Sequence, residues 1–137
     1  LCSEGDDPKS LEAPDPLKPA DGDRVLMKPR FSAFFGTPLD DMLRREGIDT
    51  VVLIGTTTPN CIRSTCYDAL SLNYNVAVIE DCTSSRTPDV QRANIEDMAF
   101  IGASVLDCAT FCARGLADMP DVAAEVAEAV RAYRDVR

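Results

Sequence analysis

Thr-Pro stands at three places in this chain, Thr37-Pro38, Thr58-Pro59 and Thr87-Pro88, each time after a short run with apolar residues and before a helical pattern. Threonine is a favoured helix cap and proline suits the first helical position, so each pair predicts a helix start. The runs that precede them, at 23–28, 50–54 and 75–81, carry β-branched and aliphatic residues and read as strands. Strands alternating with helices at this spacing build right-handed βαβ units on a parallel sheet. The expected fold class is therefore α/β. In such sheets ligands bind beyond the carboxyl ends of the strands, where Lys28 and the loop from Gly55 to Cys61 fall.

In chain order, residues 1–22 contain Pro8, Pro14, Pro16 and Pro19 with many acids and no apolar periodicity, which predicts an extended connector. The strand predicted over 23–28 ends in Lys28 and is stopped by Pro29. Leu39, Met42 and Leu43 then give a helix an apolar face that runs to Gly47. The run Thr50-Val51-Val52-Leu53-Ile54 is apolar throughout, as in a strand buried on both faces. From Pro59 a helix is predicted to about residue 72, with Ile62, Cys66, Ala69 and Leu70 on its apolar face and Cys61, Thr65 and Asp68 elsewhere. A third helix follows from Pro88 to about residue 100. Residues 103–106 suit a short edge strand, Asp107 a helix cap, and Val122, Val126, Ala129, Val130 and Tyr133 form a helical stripe. That stripe would pack on this domain or on a neighbouring subunit. The organisation read from these signals is a connector at 1–22, a domain portion at 23–106 and C-terminal helices at 107–137.

Composition narrows the function. With 137 residues and 45% hydrophobic content the chain can bury a core. A net charge of −9, scattered rather than blocked, argues against nucleic acid or an anionic membrane as partner. No run is long and apolar enough for a transmembrane helix, and no signal-peptide pattern is seen, which points to a cytoplasmic protein. Six cysteines (Cys2, Cys61, Cys66, Cys82, Cys108, Cys112) match no zinc spacing and there is no histidine to complete a mixed site, so they read as reduced thiols and no metal is expected. The absence of Cys-x-x-Cys argues against a thiol-redox protein.

Chemistry concentrates in Gly55-Thr56-Thr57-Thr58-Pro59-Asn60-Cys61. If Thr58 caps the helix and Pro59 begins it, Cys61 lies in the first turn, where unpaired N–H groups and the helix dipole favour a thiolate, the reactive form. With no histidine in the chain, a Cys-His or Ser-His dyad from these residues is excluded. Taken alone, Cys61 could be a small packed thiol and Lys28 a solvated strand-end lysine. Their joint position at the carboxyl end of the sheet favours a site. Arg63 and Asp68 read as structural or interfacial charges, and Cys66, Cys82, Cys108 and Cys112 as thiols without a role.

The motif Lys28-Pro29-Arg30-Phe31-Ser32-Ala33-Phe34-Phe35-Gly36-Thr37, followed by Gly55-Thr56-Thr57-Thr58-Pro59-Asn60-Cys61 and Asp68-Ala69, resembles the cysteine hydrolases of the isochorismatase-like superfamily over residues 21–106. That group includes N-carbamoylsarcosine amidase, ureidoacrylate amidohydrolase and nicotinamidase. The resemblance implies a three-layer α/β/α sandwich with a mainly parallel, Rossmann-like sheet and an Asp–Lys–Cys triad. Cys61 matches the nucleophile and Lys28 the catalytic lysine. It further implies a cis peptide at Thr56–Thr57, an oxyanion hole from the N–H groups of Thr57 and Cys61, and substrate contacts from Phe31, Thr56 and Asn60. The implied reaction is cleavage of a C–N bond in a small amide or N-carbamoyl (ureido) compound through a thioester on Cys61, with no cofactor.

The family's aspartate ends an apolar first strand, and nothing in residues 1–22 resembles that strand. Asp6, Asp7, Asp15 and Asp21 lie in polar, proline-rich sequence. The expectation is a C-terminal portion of the domain whose first strands are missing, with the general base absent or on another polypeptide, in a homo-oligomer or beside a second chain carrying the N-terminal half. The alternative from another class is a non-catalytic remnant or assembly subunit of the same fold.

Overall fold

The structure, a computed structural model, describes residues 15–135. Most of the connector expected at 1–22, with Cys2, Asp6 and Asp7, lies outside them. After a short 3₁₀ turn at Asp15–Leu17 the ordered elements are α1 (Leu39–Arg45), β1 (Thr50–Thr56), a π-helical turn (Thr58–Ile62), α2 (Arg63–Ser71), β2 (Asn75–Ser84), α3 (Pro88–Phe100), β3 (Ser104–Leu106), α4 (Cys108–Arg114) and α5 (Val122–Asp135). The three strands form a parallel sheet in the order β1-β2-β3. This is the α/β class expected from the alternating pattern.

β2 is the centre of the sheet and of the packing. Val76 and Val78 point into a cluster with Ile62, Cys66 and Ala69 from the α2 side and Ile95 and Met98 from α3. On the opposite face Ala77 and Ile79 are equally buried, on the side where Asn75 holds the start of α5 through Asp121 and the Ala123 N–H. Helices thus cover both faces of β2. Each such aliphatic side chain removed from water contributes about 1.5–3 kcal/mol.

Local chemistry explains the element ends. Gly47 takes φ 69° just after α1, a conformation that costs glycine no Cβ clash, and the chain reverses there. Thr87 Oγ1 accepts from the Val90 N–H at the start of α3, and Asp107 accepts from the Thr110 N–H at the start of α4. Between Leu53 and Gly55 the β1–β2 register jumps, so that Gly55 pairs with Thr83 and Thr56 with Ser84. The extra residues of β2 form a bulge closed by Thr83 Oγ1 donating to the Glu80 carbonyl at 2.9 Å. Gly55, with φ 111°, sits at the break.

Two expectations are corrected here. Residues 23–28 form no strand: they run irregularly, with Val25 72% and Met27 88% exposed. A strand exists only through a ladder partner, and neither edge of the sheet pairs with this segment. It is held by side chains instead, Arg24 pairing with Glu46 at the end of α1. The second correction concerns β1, which is an edge strand buried on one face only. Val51 and Leu53 pack on the core, whereas Val52 and Ile54 face outward, Ile54 62% exposed.

Candidate active site

The site is built where β1 ends. The Thr56–Thr57 peptide is cis, in agreement with the expected geometry. The chain then enters the π-helical turn Thr58–Ile62, which passes into α2 at Arg63. Cys61 therefore lies in a π turn rather than in the first turn of a regular α-helix. The capping expectation is also revised: Thr57 occupies the cap position, and Thr58 is fully buried with its hydroxyl making no hydrogen bond. Thr57 makes no side-chain capping bond either, so this helix start carries no hydroxyl cap.

Lys28 reaches this turn from 33 residues upstream. Its Nζ donates to the Arg30 carbonyl at 2.9 Å and to Cys61 Sγ at 3.3 Å. What brings it there is the loop after Lys28. The Ala33 N–H donates to Thr65 Oγ1 at 3.0 Å, Ser32 is buried and accepts from the Phe34 N–H, and Thr37 Oγ1 donates to the Ala33 carbonyl. Thr65 stands one helical turn after Cys61, so a single buried hydroxyl ties the lysine's loop to the cysteine's helix. The sequence reading left Thr65 without a task. Its spacing of four from Cys61, a hydroxyl on the same side of the helix, is the signal that could have found it.

Two shallow grooves border the turn. One, of about 300 Å³, is lined by Arg30, Phe31, Ser32, Phe35, Ser64 and Asp68. The other, of about 180 Å³, is lined by Thr57, Pro59, Asn60 and Arg86. Phe31 lines the first groove and Thr57 and Asn60 the second, while Thr56 is an exposed residue at the end of β1, paired with Ser84. Cys61 is half-buried and lines neither groove. Arg86, exposed in the loop after β2, was missed by sequence reading because no local pattern ties that loop to residues 57–60.

Around this turn a second polar group fixes α2 to α3. Arg63 Nε donates to Asp97 Oδ2 at 2.9 Å, and the Tyr67 hydroxyl donates to the same oxygen at 2.7 Å. The Tyr67 hydrogen bond, with help from Arg63, holds the Asp97 carboxyl below its ordinary value. The structural role read for Arg63 agrees with this geometry. Cys66, five residues from Cys61, behaves oppositely to a reactive thiol: burial, with a smaller contribution from the Asp97 charge, pushes it up to about 12. Among the described residues no carboxylate is ion-paired with Lys28, Asp15 being paired with Lys18 instead, and no group of three His, Cys, Asp or Glu side chains is arranged to hold a metal ion. No helix among them is long and apolar enough to cross a membrane.

A parallel α/β sheet with an ammonium against a thiol at the carboxyl end of its edge strand defines the class, an α/β protein with a Lys–Cys site. Residues 5–110 match the isochorismatase domain, and the chain belongs to that family of hydrolases. It is 49% identical over 81 residues to a probable inactive nicotinamidase of Arabidopsis thaliana, covering 58% of this chain and 41% of that one. A crystal structure of an isochorismatase family protein from Desulfovibrio vulgaris is 48% identical with a TM-score of 0.68, covering 69% of this chain and 50% of that one. The crystal structure of N-carbamoylsarcosine amidase from Thermoplasma acidophilum is 41% identical with a TM-score of 0.64, covering 76% of this chain and 58% of that one. The chain spans about half the length of these relatives.

Proposed function

We propose that this chain carries the nucleophile half of a cysteine hydrolase that cleaves a C–N bond in a small amide or N-carbamoyl compound. The single observation that carries the reading is the 3.3 Å contact between Lys28 Nζ and Cys61 Sγ at the end of the sheet. An ammonium there stabilises negative charge on sulfur, and Cys61 attacks the substrate carbonyl. The N–H groups of Thr57 and Cys61 hold the oxyanion. A proton must reach the leaving nitrogen, and water then cleaves the thioester. Phe31 supplies an apolar wall, and Thr56 and Asn60 supply polar contacts.

A carboxylate is needed to receive the thiol proton and return it. Since none is paired with Lys28 among the described residues, we assign the base to a segment outside them or to a second polypeptide that covers the outer edge of β1. The likeness to a structure named N-carbamoylsarcosine amidase supports C–N hydrolysis over other chemistries of the family. The name of the Arabidopsis relative, which marks it as probably inactive, favours a second reading in which the fold persists without turnover. Ammonia release from a panel of primary amides and N-carbamoyl amino acids separates the two. The hydrolase reading expects negligible release by residues 1–137 alone, and release that depends on Cys61 when an Asp-bearing first strand is supplied in front or in trans. Failure in both settings supports the remnant. Turnover by 1–137 alone, lost in Cys61→Ala, would show that a carboxylate of this chain is the base.

A further inference from the structure

Away from Cys61, two thiols meet on the first turn of α4. Cys108 opens the helix and Cys112 follows one turn later on the same side, with the two Sγ atoms 3.9 Å apart. Both are free thiols, Cys108 half-buried and Cys112 exposed, so a small molecule can reach the pair. The turn that presents them is fixed from two sides. Asp107 accepts from the Thr110 N–H through one carboxylate oxygen and from the Thr110 hydroxyl through the other, both at 2.7 Å. The Cys108 N–H donates to Asp81 Oδ1 at 2.8 Å, which ties the same turn to β2. The sulfurs are therefore held together before any ligand arrives, and a ligand that needs two of them loses little freedom in gathering them.

Such a pair is poorly suited to bond to itself. Residues four apart on a helix have Cβ atoms about 5–6 Å apart, whereas a disulfide requires about 3.5–4.5 Å. One atom inserted between the sulfurs removes that conflict: two bonds of about 2.3 Å, the length of a zinc–thiolate bond, at a tetrahedral angle span about 3.8 Å. A metal ion that needs more protein ligands is a poor match, because among the described residues no third Cys, His, Asp or Glu is arranged with these two to hold one. What fits is a thiophilic centre that two sulfurs alone complete, its remaining valence being filled already.

We propose that Cys108 and Cys112 form a two-thiol binding site for trivalent organic arsenicals of the type R–As=O, separate from the Lys28–Cys61 pair. The step is a condensation without redox change. Both S–H bonds and the As=O bond break, two As–S bonds form, and the oxygen leaves as water with the two thiol protons. Arsenic stays trivalent and closes a ring across the first turn of α4. The hydrogen bond with Cys108 holds Cys112 above its ordinary value, so it enters as the neutral thiol that this balance requires. Cys66 cannot serve as a second sulfur beside Cys61, because it is fully buried in the core.

The test incubates the full 137-residue chain with phenylarsine oxide and excess glutathione, read by intact mass and peptide mapping. A single As–S bond exchanges with a monothiol, whereas the two-sulfur ring yields only to a dithiol such as dimercaptopropanol. The expected result is one glutathione-resistant adduct per chain, on the peptide that carries Cys108 and Cys112, released by dimercaptopropanol. It is lost in Cys108→Ser and in Cys112→Ser and kept in Cys61→Ser and Cys82→Ser, with circular dichroism unchanged throughout. Protection from iodoacetamide reads the same site in the wild-type chain without any substitution: Cys108 and Cys112 should be shielded and Cys82 still alkylated. An adduct stripped by glutathione, an adduct that survives Cys112→Ser, or protection of Cys82 in place of Cys112 would overturn the proposal.

Discussion

β1 and β2 are nearly matched in sequence, Val51-Val52-Leu53-Ile54 against Val76-Ala77-Val78-Ile79, yet they live in different surroundings. All four residues of the second set are at most 2% exposed, whereas Val52 and Ile54 of the first stand open. The difference is neighbours: β2 has a strand on each side and helices on both faces, and β1 has β2 alone. Apolar runs of this kind report what a strand is suited to bury, not what buries it.

The largest test of this contrast is a matched truncation. Ile79→Ala should lower unfolding free energy by about 2–5 kcal/mol, since the cavity in β2 cannot collapse. Ile54→Ala, at the same strand depth but exposed, should stay within about 0.5 kcal/mol. Denaturant titration of both checks it, and equal losses would mean that β1 is covered in solution.

Next in size is association. An apolar unpaired edge invites another strand, so the wild-type chain should exceed its 14.9 kDa mass in size-exclusion chromatography with light scattering. Ile54→Lys should shift it toward the monomer. A dilution-stable monomer with a cooperative melt would remove the case for a covering chain.

Thr65→Val probes the tie between the Lys28 loop and α2. Loss of the hydroxyl that accepts from the Ala33 N–H should cost about 1 kcal/mol, because a half-buried donor loses its partner. Cys61 alkylation should slow in the same variant as Lys28 drifts from the sulfur. A smaller effect comes from acid. Hydrogen bonds from Tyr74 and Tyr67 hold Asp40 and Asp97 below their ordinary value of 3.8. Carboxylates depressed by folding stabilise the native state above that value, and their contribution fades as pH falls through the lower folded values. Thermal melts between about pH 5 and 2 should therefore fall with acid, less steeply for Asp97→Asn.

Much of this fold is legible in the chain. The helix starts at Thr87 and Asp107, the stop at Gly47, β2 and the short edge strand β3 all follow from local residue chemistry, which acts over a few positions. The pairing of Lys28 with Cys61 is legible in the two motifs, although residues 23–28 join no sheet. What escaped depends on distant partners. Residues 23–28 have the composition of a strand but no ladder to join, and Thr65 gains its role only when a loop 32 residues away folds onto it.

The most direct measurement of the central claim is the order in which the thiols react. Under limiting iodoacetamide at neutral pH, with peptide mapping over time, Cys61 should be alkylated before any other cysteine, Cys66 should remain unmodified in the folded chain, and Lys28→Met should slow Cys61 selectively. Faster reaction at Cys2 or Cys82 while Cys61 is accessible, or a Cys61 rate unchanged by loss of the lysine, would contradict the Lys–Cys site.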